Sequence, residues 1–150
     1  MINLNIEIES VSRPRWMIVD DNKEVLTLMS DIVARCIDAD IQCFHSPHIA
    51  LAAFTSAPEA FDFVITDLEM PSMSGIELGS QLRQLSPAIK VLLATGSGIL
   101  TTSEASQKGF CGMLQKPFFL ESLHRALEAA GVLQAPTENN EKTFVALTMA

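Results

Sequence analysis

Five times along this chain a short apolar run is followed by a segment with helical spacing, and no other feature limits the fold so tightly. The runs are WMIV at 16–19, IQCF at 41–44, FDFVIT at 61–66, KVLLAT at 90–95 and CGMLQ at 111–115. Behind Asn22, a residue that caps helices well, Val25, Leu28, Met29, Ile32, Val33 and Cys36 recur at helical intervals. Ser46-Pro47 fits the start of a second helix, and Ser74 with Glu77 three residues on forms a capping box ahead of Leu78, Leu82 and Leu85. A weak helix is expected around 103–108, and the last carries Leu120, Leu123 and Leu127 before Gly131 as its stop. Strands this evenly apolar, alternating with helices, predict an α/β fold with a doubly wound parallel sheet buried on both faces. Right-handed crossovers leave few topologies, and in all of them the functional crevice lies outside the carboxyl ends of the strands.

Composition narrows the class of function. With 48% hydrophobic residues the chain can bury a core, yet no apolar run reaches the roughly 18 residues of a membrane span. The opening MINLNIEIES has no basic stretch before an apolar block, which argues against a signal peptide. Cys36, Cys43 and Cys111 show no metal-binding spacing and read as reduced thiols in a cytoplasm, with Cys36 and Cys43 expected as core filler. A net charge of −8 with dispersed lysines and arginines argues against a nucleic-acid footprint.

The strand ends carry the chemistry. Asp20 and Asp21 follow the first run, Asp67 the third, Thr95 closes the fourth and Lys116 follows the fifth. Each has a plain structural reading by itself: a helix cap, a strand-end turn, an ordinary turn threonine, a surface lysine. Those readings do not explain why all converge on one rim. Three close carboxylates repel, and a hard cation such as Mg²⁺ relieves them together with waters and substrate phosphate. With an ammonium and a hydroxyl added, the set describes a phosphoryl-transfer site at which a carboxylate attacks.

The motifs VDD (19–21), DLEMPSMSG (67–75), ATG (94–96) and KPF (116–118), in this order and spacing, resemble the receiver domain of two-component response regulators. The likeness covers 15–131, with 1–14 as an N-terminal extension and 132–150 as a tail. It implies a flavodoxin-like sheet of five parallel strands in the order 2-1-3-4-5. It also implies that Asp67 is the phosphoacceptor, served by a histidine kinase or a histidine phosphotransfer protein. By the same resemblance, Asp21, Asp67 and the backbone carbonyl of Glu69 ligate Mg²⁺ (or Mn²⁺), Asp20 acts mainly through water, and Thr95 and Lys116 bind phosphoryl oxygens. The Lys116-Pro117 bond is then expected to be cis, and Pro71 and Gly75 to shape the loop after Asp67.

Two positions depart from the pattern. Where the family usually has an aromatic switch residue partnering Thr95, this chain has Met113, flexible but without a ring. Phe110 is bulkier than the usual residue there. Altered switching is therefore expected, with the chemistry intact. Glu69 is expected at the mouth of the site, and His45, His48 and His124 on surfaces or at helix starts.

Ile2, Leu4, Ile6 and Ile8 alternate with polar residues, as do Val145, Leu147 and Met149 after the polar stretch 134–142. Strands here would need a partner: each other, a sheet edge, or a second chain in a homodimer; a frayed end is the alternative. The residues after Gly131 are too few for an output domain, so output is expected through contact with a downstream protein. The chain reads as a signalling domain rather than an enzyme. The rivals are a phosphorylation-independent adaptor and a Mg²⁺-dependent phosphohydrolase; the second is weakened because Glu69 only loosely imitates a D-x-D acid.

Overall fold

The computed structural model describes residues 13–133, so the alternating segments at both ends lie outside the described residues. The element order is β1 (Arg15–Val19), α1 (Lys23–Cys36), β2 (Asp40–Phe44), α2 (Pro47–Ser56), β3 (Phe63–Asp67), α3 (Gly75–Leu85), β4 (Lys90–Thr95), α4 (Thr102–Gln107), β5 (Gly112–Gln115) and α5 (Leu120–Ala129). All four strand pairings are parallel and the order is 2-1-3-4-5.

Helix starts follow from local sequence. The Asn22 side chain accepts from the N–H groups of Glu24 and Val25, Ser46 from Ile49, Ser74 from Glu77 and Thr101 from Glu104. Each satisfies a donor that the first helical turn leaves without a partner. Gly131, at φ +74°, follows α5 in the left-handed region that ends helices.

The sheet divides the core into two layers. Met17, Val19, Val64, Val91 and Leu93 face α2 and α3, meeting Phe54, Leu78 and Leu82. Trp16, Ile18, Phe63, Ile65 and Leu92 face α1 and α5, meeting Met29, Val33, Leu123 and Leu127. Alternate residues of a strand thus enter different layers, and both are apolar, which is why the runs show no period of two.

Several expectations need correcting. The edge strands β2 and β5 are only partly buried, because helix cover runs out at the sheet margins. Cys43, on β2, is therefore exposed rather than core filler, while Cys36 is half-buried against the α1–α5 layer. On α1 the buried residues are Leu26, Met29 and Val33, and Leu28 is 57% exposed. β3 begins at Phe63, two residues later than the apolar run suggests, since Asp62 accepts from the Arg15 N–H through its side chain.

Candidate functional site

Register determines what meets at the rim. Val19 pairs with Phe44 and Thr66, Asp67 with Ala94, and Thr95 with Gln115. Residues one step past these positions therefore emerge on the same edge, and Asp20, Asp67, Thr95 and Lys116 all sit there. Asp20, Asp67 and Thr95 are 1%, 6% and 0% exposed, whereas Asp21 is open to solvent.

Lys116 ties the acids together. Its Nζ donates to Asp20 Oδ2 at 2.6 Å and lies 3.1 Å from Asp67 Oδ1. Asp20 Oδ1 accepts the N–H of Asn22 at 2.9 Å. The peptide bond between Lys116 and Pro117 is cis, as expected. Burial pushes the Asp67 carboxyl up, Lys116 opposes this by hydrogen bond and charge, Asp20 adds repulsion, and the Glu69 N–H helps to hold it ionised; the net shift is upward. Burial alone would lower the Lys116 ammonium, but its hydrogen bonds and charge contacts with Asp20 and Asp67 outweigh it and raise its pKa. The two acids therefore hold the lysine in its charged state, and the lysine offsets part of the burial that raises Asp67.

One carboxylate oxygen each from Asp20, Asp21 and Asp67 falls within 4.8 Å of the others. An all-oxygen donor set beside an open side suits a hard cation that keeps waters. The loop from Asp67 to α3 is folded tightly back under Asp67. Gly75 N–H donates to Leu68 O at 2.9 Å, and a Cβ at Gly75 would lie 2.1 Å from the Asp67 carbonyl oxygen. Glycine is required there by the close approach of the chain.

Thr95 makes no hydrogen bond to Asp67. Its hydroxyl is engaged by Ser97, whose N–H donates to Thr95 Oγ1 at 3.1 Å and whose O and Oγ lie 3.1 and 3.2 Å away. Ser97 Oγ in turn donates to Glu69 Oε1 across the mouth of the site. Sequence reasoning missed Ser97, although its position two residues after Thr95 was a usable signal. It also missed Gly79 and Arg83. A Cβ on Gly79 would lie 2.4 Å from Phe110 Cε1, and the Arg83 guanidinium stacks 4.5 Å from the Phe110 ring centroid. Met113 is half-buried against the α2–α3 layer.

Other candidates fall elsewhere. His48 Nε2 lies 3.0 Å from Ser72 Oγ, His124 Nδ1 lies 3.0 Å from Glu128, and His45 is exposed. A depression of about 550 Å³ lined by Leu68, Met70, Pro71, Ile76, Ile99 and Leu100, with Glu69 and Ser74, flanks the acidic cluster without containing it.

A flavodoxin-like sheet with three acids, a lysine and a threonine at its carboxyl rim defines the CheY-like class of signalling domain. The model of the response regulator receiver domain matches residues 16–128, and the chain belongs to that family, whose members act in two-component systems. It is 32% identical over 124 residues to the response regulator protein TodT of Pseudomonas putida, covering 82% of this chain and 53% of TodT. The chain thus spans about half the length of that relative. Its fold is similar to a response regulator receiver domain protein from Clostridium thermocellum (TM-score 0.71, 25% identity, 78% of this chain and 93% of that one). It is also similar to the chemotaxis protein CheY4 of Vibrio cholerae (TM-score 0.68, 26% identity, 81% and 100%). Among the described residues no helix is long and apolar enough to cross a membrane.

Proposed function

We propose that this receiver accepts a phosphoryl group onto Asp67 from a phosphohistidine of a histidine kinase or histidine phosphotransfer protein, in the cytoplasm, and signals by changing its contacts with a downstream protein. The observation that carries the proposal is the Lys116 ammonium held between Asp20 and Asp67 at 2.6 and 3.1 Å. An Asp67 carboxylate oxygen attacks phosphorus, the bond from phosphorus to the donor imidazole breaks, and its electron pair leaves on the imidazole nitrogen. Lys116 and the Thr95 hydroxyl donate to the phosphoryl oxygens as charge shifts onto them. Asp20, Asp21, Asp67 and the Glu69 carbonyl would hold Mg²⁺ (or Mn²⁺), which would supply positive charge for the transferring group. The product is a stoichiometric modification of the domain itself, so the role is signalling and not turnover of a separate substrate.

The test is intact mass after incubation with Mg²⁺ and acetyl phosphate, for wild type and Asp67→Ala. A single phosphoryl adduct confined to wild type supports the assignment. Absence of the adduct, also with phosphorylated kinases as donors, moves the reading to a phosphorylation-independent adaptor. Steady phosphate release from a generic ester would point to a hydrolase instead.

A further inference from the structure

We propose that Glu69 and Ser97 form a latch across the mouth of the site that reserves the Thr95 hydroxyl in the resting protein and so sets how readily the domain enters its phosphorylated arrangement. The inference rests on Asp67 being the phosphoacceptor and concerns the regulation of that site.

Hydrogen-bond capacity carries the argument. Ser97 has one hydroxyl proton and donates it to the Glu69 carboxylate, which as an anion can only accept. Towards Thr95, Ser97 Oγ is therefore left as an acceptor. The single Thr95 hydroxyl proton has two acceptors in reach, Ser97 O at 3.1 Å and Ser97 Oγ at 3.2 Å, while the Thr95 oxygen takes the Ser97 N–H at 3.1 Å. Both functions of the hydroxyl are thus occupied by one residue. Thr95 is fully buried, so water does not compete for it. To donate to a phosphoryl oxygen on Asp67, the proton has to leave Ser97.

Glu69 links this reservation to the acceptor. Its side chain anchors the β4–α4 loop through Ser97, and its backbone follows Asp67 by two residues in the loop that leaves β3. Phosphate on Asp67 places new negative charge beside that loop and repels the Glu69 carboxylate. The repulsion loosens Ser97, and the released Thr95 hydroxyl turns to the new oxygens. Two arrangements of one short loop are thereby biased by one charge. Glu69 and Ser97 are positioning residues, acting through Thr95.

The closing experiment combines two readouts on the full chain. In metal-free protein, amide exchange at Ser97 reports the hydrogen bond to Thr95 without any phosphorylation. With Mg²⁺ and beryllofluoride, apparent affinity reports how much of the protein is ready to close, since a resting state that must first be undone weakens binding in proportion. Glu69→Ala should lower Ser97 amide protection about fivefold, the net scale of one ordinary hydrogen bond. Glu69→Ala and Ser97→Ala should each tighten beryllofluoride binding about fivefold, and the double variant no further, because both remove one interaction. Ser97→Thr, which keeps a hydroxyl, should restore the wild-type affinity. Unchanged amide protection in Glu69→Ala, or effects that multiply in the double variant, would overturn the latch. Wild type that takes the phosphoryl group in the mass test above, with variants indistinguishable from it in amide protection and beryllofluoride affinity, overturns the latch and leaves the proposed function standing. Wild type that takes none removes the proposed function, and with it the regulatory role, whatever the amide result.

Discussion

Replacing Lys116 with methionine isolates what holds the acid cluster together. The ammonium lies 2.6 Å from Asp20 Oδ2 and 3.1 Å from Asp67 Oδ1. At an effective dielectric of about 20, those separations give gross attractions of about 6 and about 5 kcal/mol. Desolvating three charges offsets much of this. Removal of one partner nevertheless strands the carboxylates, and buried pairs broken this way lose about 3–5 kcal/mol. Lys116 keeps 20% of its side chain in solvent, so the lower end applies, about 3 kcal/mol at pH 7 without metal. Methionine preserves most of the aliphatic stem, so little packing is lost.

Urea unfolding in EDTA measures the loss, and pH identifies its origin. A carboxyl raised in the folded state costs stability once ionised. The Asp67 penalty is thus full above its folded pKa and fades as pH falls through it. Without Lys116 that pKa rises further, so the deficit of Lys116→Met should shrink on acidification while the wild type gains less. Lys116, raised in the fold, contributes its share at every pH below the ordinary lysine value and loses it only as pH climbs through its folded pKa. Millimolar Mg²⁺ should return part of the lost stability by replacing the missing positive charge. A loss below about 1 kcal/mol, the ceiling for exposed pairs, would refute the reasoning. So would a deficit that does not change with pH.

Gly75→Ala should destabilise the fold by about 3 kcal/mol, because its Cβ would lie 2.1 Å from the Asp67 carbonyl and the loop must open; thermal melting reads the loss, and an intact phosphoryl adduct would speak against the loop's role in presenting Asp67. Gly79→Ala should cost about 1–3 kcal/mol through its collision with Phe110, and Phe110→Leu in the same chain should recover part of it. Asn22→Ala should lose about 1 kcal/mol in urea unfolding as α1 loses its cap. Met113→Ala should diminish the amide shift changes that phosphorylation produces in β4 and α4; changes equal to wild type would remove Met113 from the switch.

Most of the rim was legible before any coordinates, because a strand-to-helix alternation sends every strand end to the same edge. The phase of α1 was not. Val25, Leu26, Leu28, Met29, Ile32 and Val33 cover nearly half the helix circumference, and periodicity alone does not say which margin of so wide a stripe meets the sheet. Leu26 took the place expected for Leu28. Cys43 failed for a related reason: its neighbours are apolar, but burial at an edge strand depends on how far the helices reach. Ser97 and Glu69 were illegible as a pair, since a hydrogen bond between two loops 28 residues apart depends on rotamers that no pattern encodes.

The departures at Phe110 and Met113 become intelligible once α3 is seen to carry two close approaches. Gly75 lets the loop after β3 fold against Asp67, and Gly79, one turn later on the same helix, lets the Phe110 ring lie against the helix backbone. Arg83, a further turn along, stacks on that ring and donates to the Lys108 carbonyl at 2.6 Å. Phe110 is thus held from both sides and is 3% exposed, which suits a fixed wedge and not a rotor. Met113 packs into the same layer with three rotatable bonds, so it is the adjustable volume beside the fixed one. A receiver built this way has no ring to swing at the usual position. The open part of its rim is the β4–α4 loop, where Thr95 is buried, Ser97 is half-buried and Ile99 is 76% exposed. Under the proposed function, phosphorylation of Asp67 acts first on the hydrogen bonds of that loop, and the side chains behind it adjust as Thr95 turns to the new oxygens.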